Sequence, residues 1–578
     1  MAQKAPPRVW RSGPFIPTVP RTGDEGESTT SWRKENLRTK GRNGRYYEEN
    51  DTGLGDLQED VDLVALTGTL ALTADSPTVV GSGTLFLSEV HLGQFICAMD
   101  ADQTFSFLLV PKQIVSDTEM IVWIVRPPDH PPWPTVDGLT GWQMPVMFSL
   151  NDSRGTALRG NVLKLDKGSF LGVGKGTFRI NGQVLAGTSM TLSREPTIAL
   201  YDPVLNSYTP FVLGMDTSVP PTLAAVGGGI KGMQGGNYSI VITPARKETD
   251  GYNNPSERAD VTIVTNDMIA CTFPAMDTAN GQDAWIVWVT TFAATLGADL
   301  NYLNGPWFRL RMVDDTEVSP AGGTVNFEWL DAEVETNELV SFNNDRPVEA
   351  EFVEILNAIP VWISCQGQGF AAHPVATSPG PFIVPAKPNN IEAAPLELAF
   401  SSSPPETILG AVSAQGRIYL LTVNKLQIAQ ATPSDVVPIL IRPFWHDGFA
   451  HPYQVVFVNG VLYGYPVAGP SRSVGDGDEQ RAERDWAADV FEITKHWNNG
   501  QVLVGYDPYN DEVVFFHAAD HLNEQGFWTT VSLSYGIPQQ FWTCRNLYTN
   551  PTKDQIVCGL ATVSDRLELI AGGRGSMT

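Results

Sequence analysis

The stretch "NNGQVLVGYDPYNDEVVFF" (residues 498–516) decides how this chain is read. Its apolar runs are parted by short turn signals, and its pentapeptide NGQVL recurs in "FRINGQVLAG" (178–187). Looser versions stand at "SAQGRIYLLT" (413–422) and "VFVNGVLYGYP" (456–466). Asn-Gly and Gln-Gly tolerate the positive φ of a tight turn, so each copy predicts two antiparallel strands. A second signal travels with the repeat. "TIALYDPVLNSY" and "VGYDPYNDEV" both place Tyr-Asp-Pro at a strand end, ahead of a turn of four residues. Hairpins repeated in this way are what a β-propeller needs, each blade being a sheet of about four strands in roughly 40–50 residues.

The bulk numbers agree with an all-β protein. At 578 residues the chain is too long for one core and divides into about three or four domains. Hydrophobic residues make up 42% and charged residues only 18%, against about 25% in an ordinary soluble domain. Fifty-three glycines and 42 prolines favour many short strands over helices. The five cysteines (Cys97, Cys271, Cys365, Cys544, Cys558) form no CxxC pair, which fits reduced, buried thiols rather than a disulfide framework. The start, "MAQKAPPRVWRSG", lacks an apolar signal core, and "AWIVWVTTFAA" falls short of the ~18 apolar residues that cross a bilayer. A soluble protein made in the cytoplasm, without a membrane-spanning segment, is expected.

Charge is unevenly distributed. Residues 1–45 carry ten Lys/Arg against four Asp/Glu, +6; the remainder carries 28 against 60, −32, for a total of −26. A cationic face of the kind nucleic-acid binders use is therefore missing from the body. The basic start suits either docking onto an acidic neighbour, such as a second copy, or a solvated tail.

The domain plan follows these signals. Residues 1–60 read as an extended basic arm, and 61–135 as a small β-barrel or sandwich module. That module opens with a hairpin, Leu70 and Leu72 against Leu85 and Leu87, about a turn of Gly81, Ser82 and Gly83. A phosphate-cradling loop would open a helix, whereas Thr84, Leu85, Phe86 and Leu87 favour a strand. "TFSFLLV" and "MIVWIV" add two strands, and the proline-rich "RPPDHPPWPTVDG" closes the module. Residues 136–210 read as the first propeller strands. Residues 211–345 read as a sandwich and linker, with about four strands at "YSIVI", "ADVTIV", "ACTF" and "AWIVWV" parted by turns. Residues 346–578 complete the propeller.

Several stretches resemble known families. "GNYSIVITPARKETDGYNNPSERADVTI" resembles a fibronectin-III or other immunoglobulin-like sandwich, with Tyr238, Asn254, Pro255 and Ser256 at the matching positions. Val80 to Thr84 followed by Leu92 and Gly93 resembles a small β-module of phage virion proteins, although Gln94 replaces the usual acidic residue. "FEWLDAEVETNELVSFNNDRPVEAEFVEILNAIPVWISCQG", "SPGPFIVPAKPN" and the strands after them resemble the propeller of phage tail proteins. The order of these pieces over residues 65–570 is similar to tail-tube, nozzle or head-to-tail adaptor proteins of tailed bacteriophages. That resemblance implies a virion component without catalysis. It implies a homo-oligomeric ring, a hexamer among the candidates, contacting other tail or adaptor proteins, with DNA a non-specific passenger in an acidic channel.

Residue patterns that would carry chemistry each have a plainer account. His446, Asp447 and His451 in "WHDGFAHPY" fix no metal geometry. His517, Asp520 and His521 lack the glutamate of an HExxH site. Asp476, Asp478 and Glu479 lack the rest of a calcium loop, and a helix from near Asp478 burying Trp486 and Val490 is the simpler expectation. "GVGKGTF" and "GGGIKG" contain no GK[ST], and no GxSxG elbow occurs. No cofactor or metal site is expected. Trp285, Trp288 and Trp362 lie in apolar strands and are expected in cores. The interface candidates are Trp10, Trp32, Arg33, Lys34, Arg38, Lys40, Arg42 and Arg45 in the arm. Trp133 and Trp142 join them as either interface residues or buried loop anchors. A receptor- or glycan-binding tail protein is the alternative, and a polysaccharide-cleaving propeller the third.

Overall fold

A computed structural model describes residues 61 to 573 apart from several segments, chiefly 124–134, 149–161, 181–189, 292–305, 366–379, 482–493 and 518–528. It also describes Trp10–Arg11, Leu37–Lys40 and Arg45–Glu48. Among these residues nearly every element is a strand, and the helices are single turns such as Phe86–Glu89 and Asp331–Val334. The chain is all-β.

Six sheets follow one another along the chain. The first joins Val162–Lys164, Phe170–Gly172, Thr197–Asp202 and Ser207–Val212. The second joins Phe352–Leu356, Ile359–Cys365 and Phe382–Pro385, extended by a bridge from Ile383 to Phe400. The third runs Ile408–Ala414, Arg417–Thr422, Leu426–Ala431 and Ile439–Trp445. Val455–Val458, Val461–Gly464, Ser471–Val474 and Gln480–Arg481 form the fourth. Val502–Asp507, Glu512–His517, Thr529–Gly536 and Phe541–Tyr548 form the fifth. In the sixth, Gln555–Val563 and Arg566–Gly573 are joined by Val61–Asp62, in parallel to the latter.

Their strands explain why the sheets stack. In Arg417–Thr422, Ile418 and Leu420 point into a core shared with Phe352, Val361 and Ile363 of the second sheet. Tyr419 and Leu421 point the other way, into a core shared with Val455 and Leu462 of the fourth. Successive side chains leave opposite faces of a strand, so a strand apolar at every position needs a partner layer on each side. The same holds between the first and second sheets, around Leu171, Ile198 and Trp362, and between the fourth and fifth, around Tyr463, Val504 and Phe515. First strands of consecutive sheets accordingly run as neighbours through all six sheets. Ser413 adds a bond across one such seam, its Oγ accepting from Ile355 N (3.2 Å) and donating to Ile355 O (2.9 Å).

Turn chemistry is partly as read. Gln415-Gly416 (φ 51° and 70°) and Asn459-Gly460 (φ 49° and 83°) make two-residue hairpins. Both Tyr-Asp-Pro copies sit as expected, with Asp202 paired to Ser207 and Asp507 to Glu512. Asn181, Gly182 and Asn499 of the two NGQVL copies lie outside the described residues; Val502–Asp507 begins with the last two residues of the second copy, and Gly176–Ile180 pairs with Met190–Leu192 across the first.

The N-terminal module departs from expectation in three ways. Its hairpin pairs Thr69–Leu72 with Thr78–Ser82, so Gly81 and Ser82 are strand residues and the turn lies earlier. Phe86–Glu89 is one helical turn, not strand: Ser88 N and Glu89 N donate to Leu85 O, and Asp117 Oδ1 accepts from Leu87 N. Val136–Gln143, expected in the propeller, pairs with Thr69–Leu72 and Ile96–Met99 in the middle of this module's sheet. Leu139 is fully buried there, and that burial sets the boundary later than the proline-rich loop suggested. The module's core also takes in Leu409, Tyr453, Leu503, Val514 and Phe516, so it is seated on the third to fifth sheets.

Between the first and second sheets the chain builds a sandwich. One face is Thr222–Gly227, Asp267–Phe273 and Gly323–Phe327. The other is Ala259–Ile263, Gly236–Arg246, Ala284–Val289 and Phe308–Asp314, with Gly251–Tyr252 on the same strand. Tyr238, Trp285, Phe273, Phe327 and Trp329 fill the space between, Tyr238 meeting Trp329 edge-on at 5.5 Å. The first, fourth and seventh strands share a sheet, an order that departs from the immunoglobulin arrangement, which places the first two strands together.

One turn was not anticipated. Asn357-Ala358 joins the first strands of the second sheet with φ of 50° and 65°, a conformation that costs a non-glycine residue about 1 kcal/mol. Ala358→Gly is expected to raise unfolding free energy by about 0.5–1 kcal/mol, and Gly460→Ala to lower it similarly, read from urea midpoints.

Candidate functional site

The most elaborate polar constellation lies where the sandwich meets the first two sheets. The strand Gly236–Arg246 ends on Arg246, whose side chain is wholly buried. Its Nη1 pairs with Glu392 Oε1, also wholly buried, and its Nη2 donates to Val212 O (2.8 Å) and Asn280 O (2.6 Å). The guanidinium lies 5.7 Å from the Phe211 ring. Glu392 Oε2 accepts from Gly214 N at 2.8 Å. Gly251 is required beside it, since a Cβ there would stand 2.3 Å from Glu392 Cγ.

Asparagines complete the junction. Asn253 accepts from Met215 N (2.6 Å) and donates to Glu392 O (3.1 Å) and Asn344 O (3.3 Å). Asn390 accepts from Tyr252 N (3.1 Å) and donates to Tyr252 O (2.7 Å). Asn254 accepts from Asn344 N at 2.9 Å, and Lys387 Nζ donates to Asn344 Oδ1 at 2.7 Å. None of these residues stood out as a site in sequence. A usable signal existed: Asn253, Asn254, Asn344 and Asn390 come from three of the chain's four Asn-Asn doublets, 253–254, 343–344, 389–390 and 498–499. The carboxylate is neutralised and both its oxygens are engaged, so the junction locks two bodies together rather than presenting a reactive group.

A second cluster gathers two of the motifs weighed for metal binding. Arg481 pairs with Asp447 and lies 3.7 Å from Glu479, which accepts from Ser471 Oγ at 2.8 Å. Burial pushes the Glu479 carboxyl above its ordinary 4.5, with nearby Asp447 adding to the rise. His446 is exposed, and His451 and Asp476 lie outside the described residues. The expected helix near Asp478 is not formed at its start, because Gln480–Arg481 is the outer strand of the fourth sheet; Trp486 and Val490 lie outside the described residues. His517 is buried and stacks on Trp497 at 5.3 Å, while Asp520 and His521 are outside the description. Among the described residues no group of three or more His, Cys, Asp and Glu side chains is placed to hold a metal ion. Cys271 and Cys365 are buried free thiols, and burial pushes Cys271 up to about 12.

Trp285, Trp288 and Trp362 are core residues, as their apolar strands predicted. The interface candidates are only partly placed. Trp10, Arg38, Lys40 and Arg45 lie on three short strands that pair with one another, Trp10 opposite Tyr46 and Lys40 opposite Arg45. Leu37–Lys40 and Arg45–Glu48 satisfy each other's backbone groups, and apart from the three strands residues 1–60 lie outside the described residues. Trp32, Arg33, Lys34, Arg42 and Trp133 lie outside the described residues. Trp142 lies on the module strand Val136–Gln143, opposite Cys97. Among the described residues no helix is long and apolar enough to cross a membrane.

No known protein family matches the chain, and no curated protein does. Solved structures that align with it include the WD40 domain of SCAP from fission yeast, at 7% identity over 89% of this chain and 97% of that one, TM-score 0.13. Another is the extracellular domain of a hybrid two component system from B. thetaiotaomicron, at 9% identity over 87% and 88%, TM-score 0.16. Overlays this poor carry no argument about fold or function.

Two outcomes follow. Arg246→Met leaves Glu392 buried without its partner and is expected to cost about 3–5 kcal/mol, seen as a lower melting temperature. For Glu479, a carboxyl raised in the fold favours the folded state when protonated, so that contribution is present at low pH and lost as pH rises through the raised value. Glu479→Gln is therefore expected to stabilise the protein near pH 7 and to leave it unchanged near pH 4, in parallel thermal melts.

Proposed function

We propose that the six stacked sheets are blades of a β-propeller carrying an inserted sandwich, and that the chain is a non-enzymatic structural component of a tailed-bacteriophage virion. In this reading copies associate into a ring that forms part of the tail channel, contacting other tail or adaptor proteins. The observation that carries it is the rigid coupling of the sandwich to the sheets through the buried Arg246–Glu392 pair and its asparagines. Such a junction transmits load and fixes the angle at which a second body projects, which a ring subunit needs for every copy to meet its neighbour alike.

Charge supports the same reading. A body of −32 repels DNA phosphate, so a duplex would pass a channel lined by it without adhering. The +6 of residues 1–45 supplies attraction between copies. Particles of this kind are made in the host cytoplasm and reside in the virion tail.

Mass photometry with negative-stain imaging of the full chain tests this. Closed rings are expected, weakening as ionic strength rises from about 0.01 M to about 1 M and the Debye length falls from about 30 Å to about 3 Å. A salt-indifferent monomer overturns the ring and leaves host-cell or glycan binding as the function to assay.

A further inference from the structure

The sandwich has two ends. Arg246 fixes one to the sheets, and the strand Gly236–Arg246, eleven residues long, carries the other roughly 30 Å away. At that far end stand Ile230, Val264 and Leu330, exposed by 91%, 72% and 41%. Large aliphatic side chains gathered and exposed at one place mark an interaction surface.

Their exposure is imposed by the fold. Ile230 sits in a glycine-rich loop, yet the loop is pinned from both sides. Ile230 N and Lys231 N donate to Glu328 Oε2 at 2.7 and 3.0 Å, and Gly229 N donates to Asn266 O at 2.8 Å. Asn266 N donates to Met233 O at 3.0 Å, with Met233 buried in the sandwich core.

The rim is acidic. Residues 328–338 contain Glu328, Asp331, Glu333, Glu335 and Glu338 and no Lys or Arg. Lys231 and Arg309 engage Glu333 and Glu338, which leaves the strip negative. The matching chemistry, basic charge interleaved with large apolar groups, is found in the chain's own first 45 residues, with ten Lys/Arg and with Trp10, Phe15, Ile16 and Trp32.

We infer that this far end of the sandwich is the docking surface for the basic N-terminal segment of a second copy. The inference rests on the ring reading above and names its contact. The sandwich reaches out from one subunit, its aliphatic tip takes the aromatic side chains of the neighbour's segment, and the carboxylates of 328–338 oppose its Lys and Arg. The arrangement is heterologous, as a closed ring requires.

The test uses the full chain with Trp32→p-benzoylphenylalanine, prepared in ordinary and ¹⁵N-labelled form, mixed, assembled and irradiated. Cross-links joining position 32 of one isotopic copy to residues 227–236 or 328–340 of the other are expected. Ile230→Asp with Leu330→Asp should cut their yield about ten-fold or more, the loss expected on removing two aliphatic contacts, with melting temperature unchanged. Rings whose cross-links fall elsewhere overturn this surface and leave the ring standing. A chain that forms no oligomer overturns both.

Discussion

Every strand of the central sheets that is apolar at each position has the same need: a layer on both sides. Arg417–Thr422 and Glu512–His517 are buried almost throughout, with no face left for water. A single sheet of this kind cannot exist alone. The repetition of the pattern forces the sheets into succession, each supplying one wall of its neighbour's core. At the fifth sheet the far face, Leu503, Val514 and Phe516, is covered by the N-terminal module instead. The module is thus part of the packing solution for the sheets, and its own core is continuous with theirs.

The sandwich obeys a different rule. Its two sheets close on a core of their own around Trp285 and Trp329, and the larger sheet buries its outer face as well, Val241, Ala245, Ile286 and Trp288 packing with Tyr252, Trp307 and Val340. What attaches it to the first two sheets is polar and largely buried: one ion pair, four asparagine carboxamides and the backbone groups they satisfy. Burial of this kind adds little net stability compared with an apolar contact, but it tolerates only one arrangement. The hydrophobic cores decide that the bodies form, and the junction decides how they sit.

That division bears on the proposed role. A subunit whose projecting domain wobbled could not place an outer surface against a neighbour reproducibly. With Arg246 at one end of an eleven-residue strand and the exposed aliphatic tip at the other, orientation at the junction is conveyed to the tip through a single continuous β-strand. The acidic strip 328–338 lies on the segment that returns from the tip toward the junction, where Asn344 and Asp345 take part in the network.

The sequence by itself determined the strand-rich class, the Gln-Gly and Asn-Gly hairpins, the Tyr-Asp-Pro turns and the burial of Trp285, Trp288 and Trp362. Each of these is local: a turn needs residues that accept positive φ, and an apolar run with turns at both ends needs a core. Only the tertiary structure placed Val136–Gln143 in the N-terminal module, paired Val61–Asp62 with the last sheet and drew Asn253, Asn254, Asn344, Asn390 and a buried ion pair into one junction. Strand pairing and buried polar contacts join residues as far apart as Arg246 and Glu392, and no periodicity in the chain encodes which distant partner satisfies a buried charge.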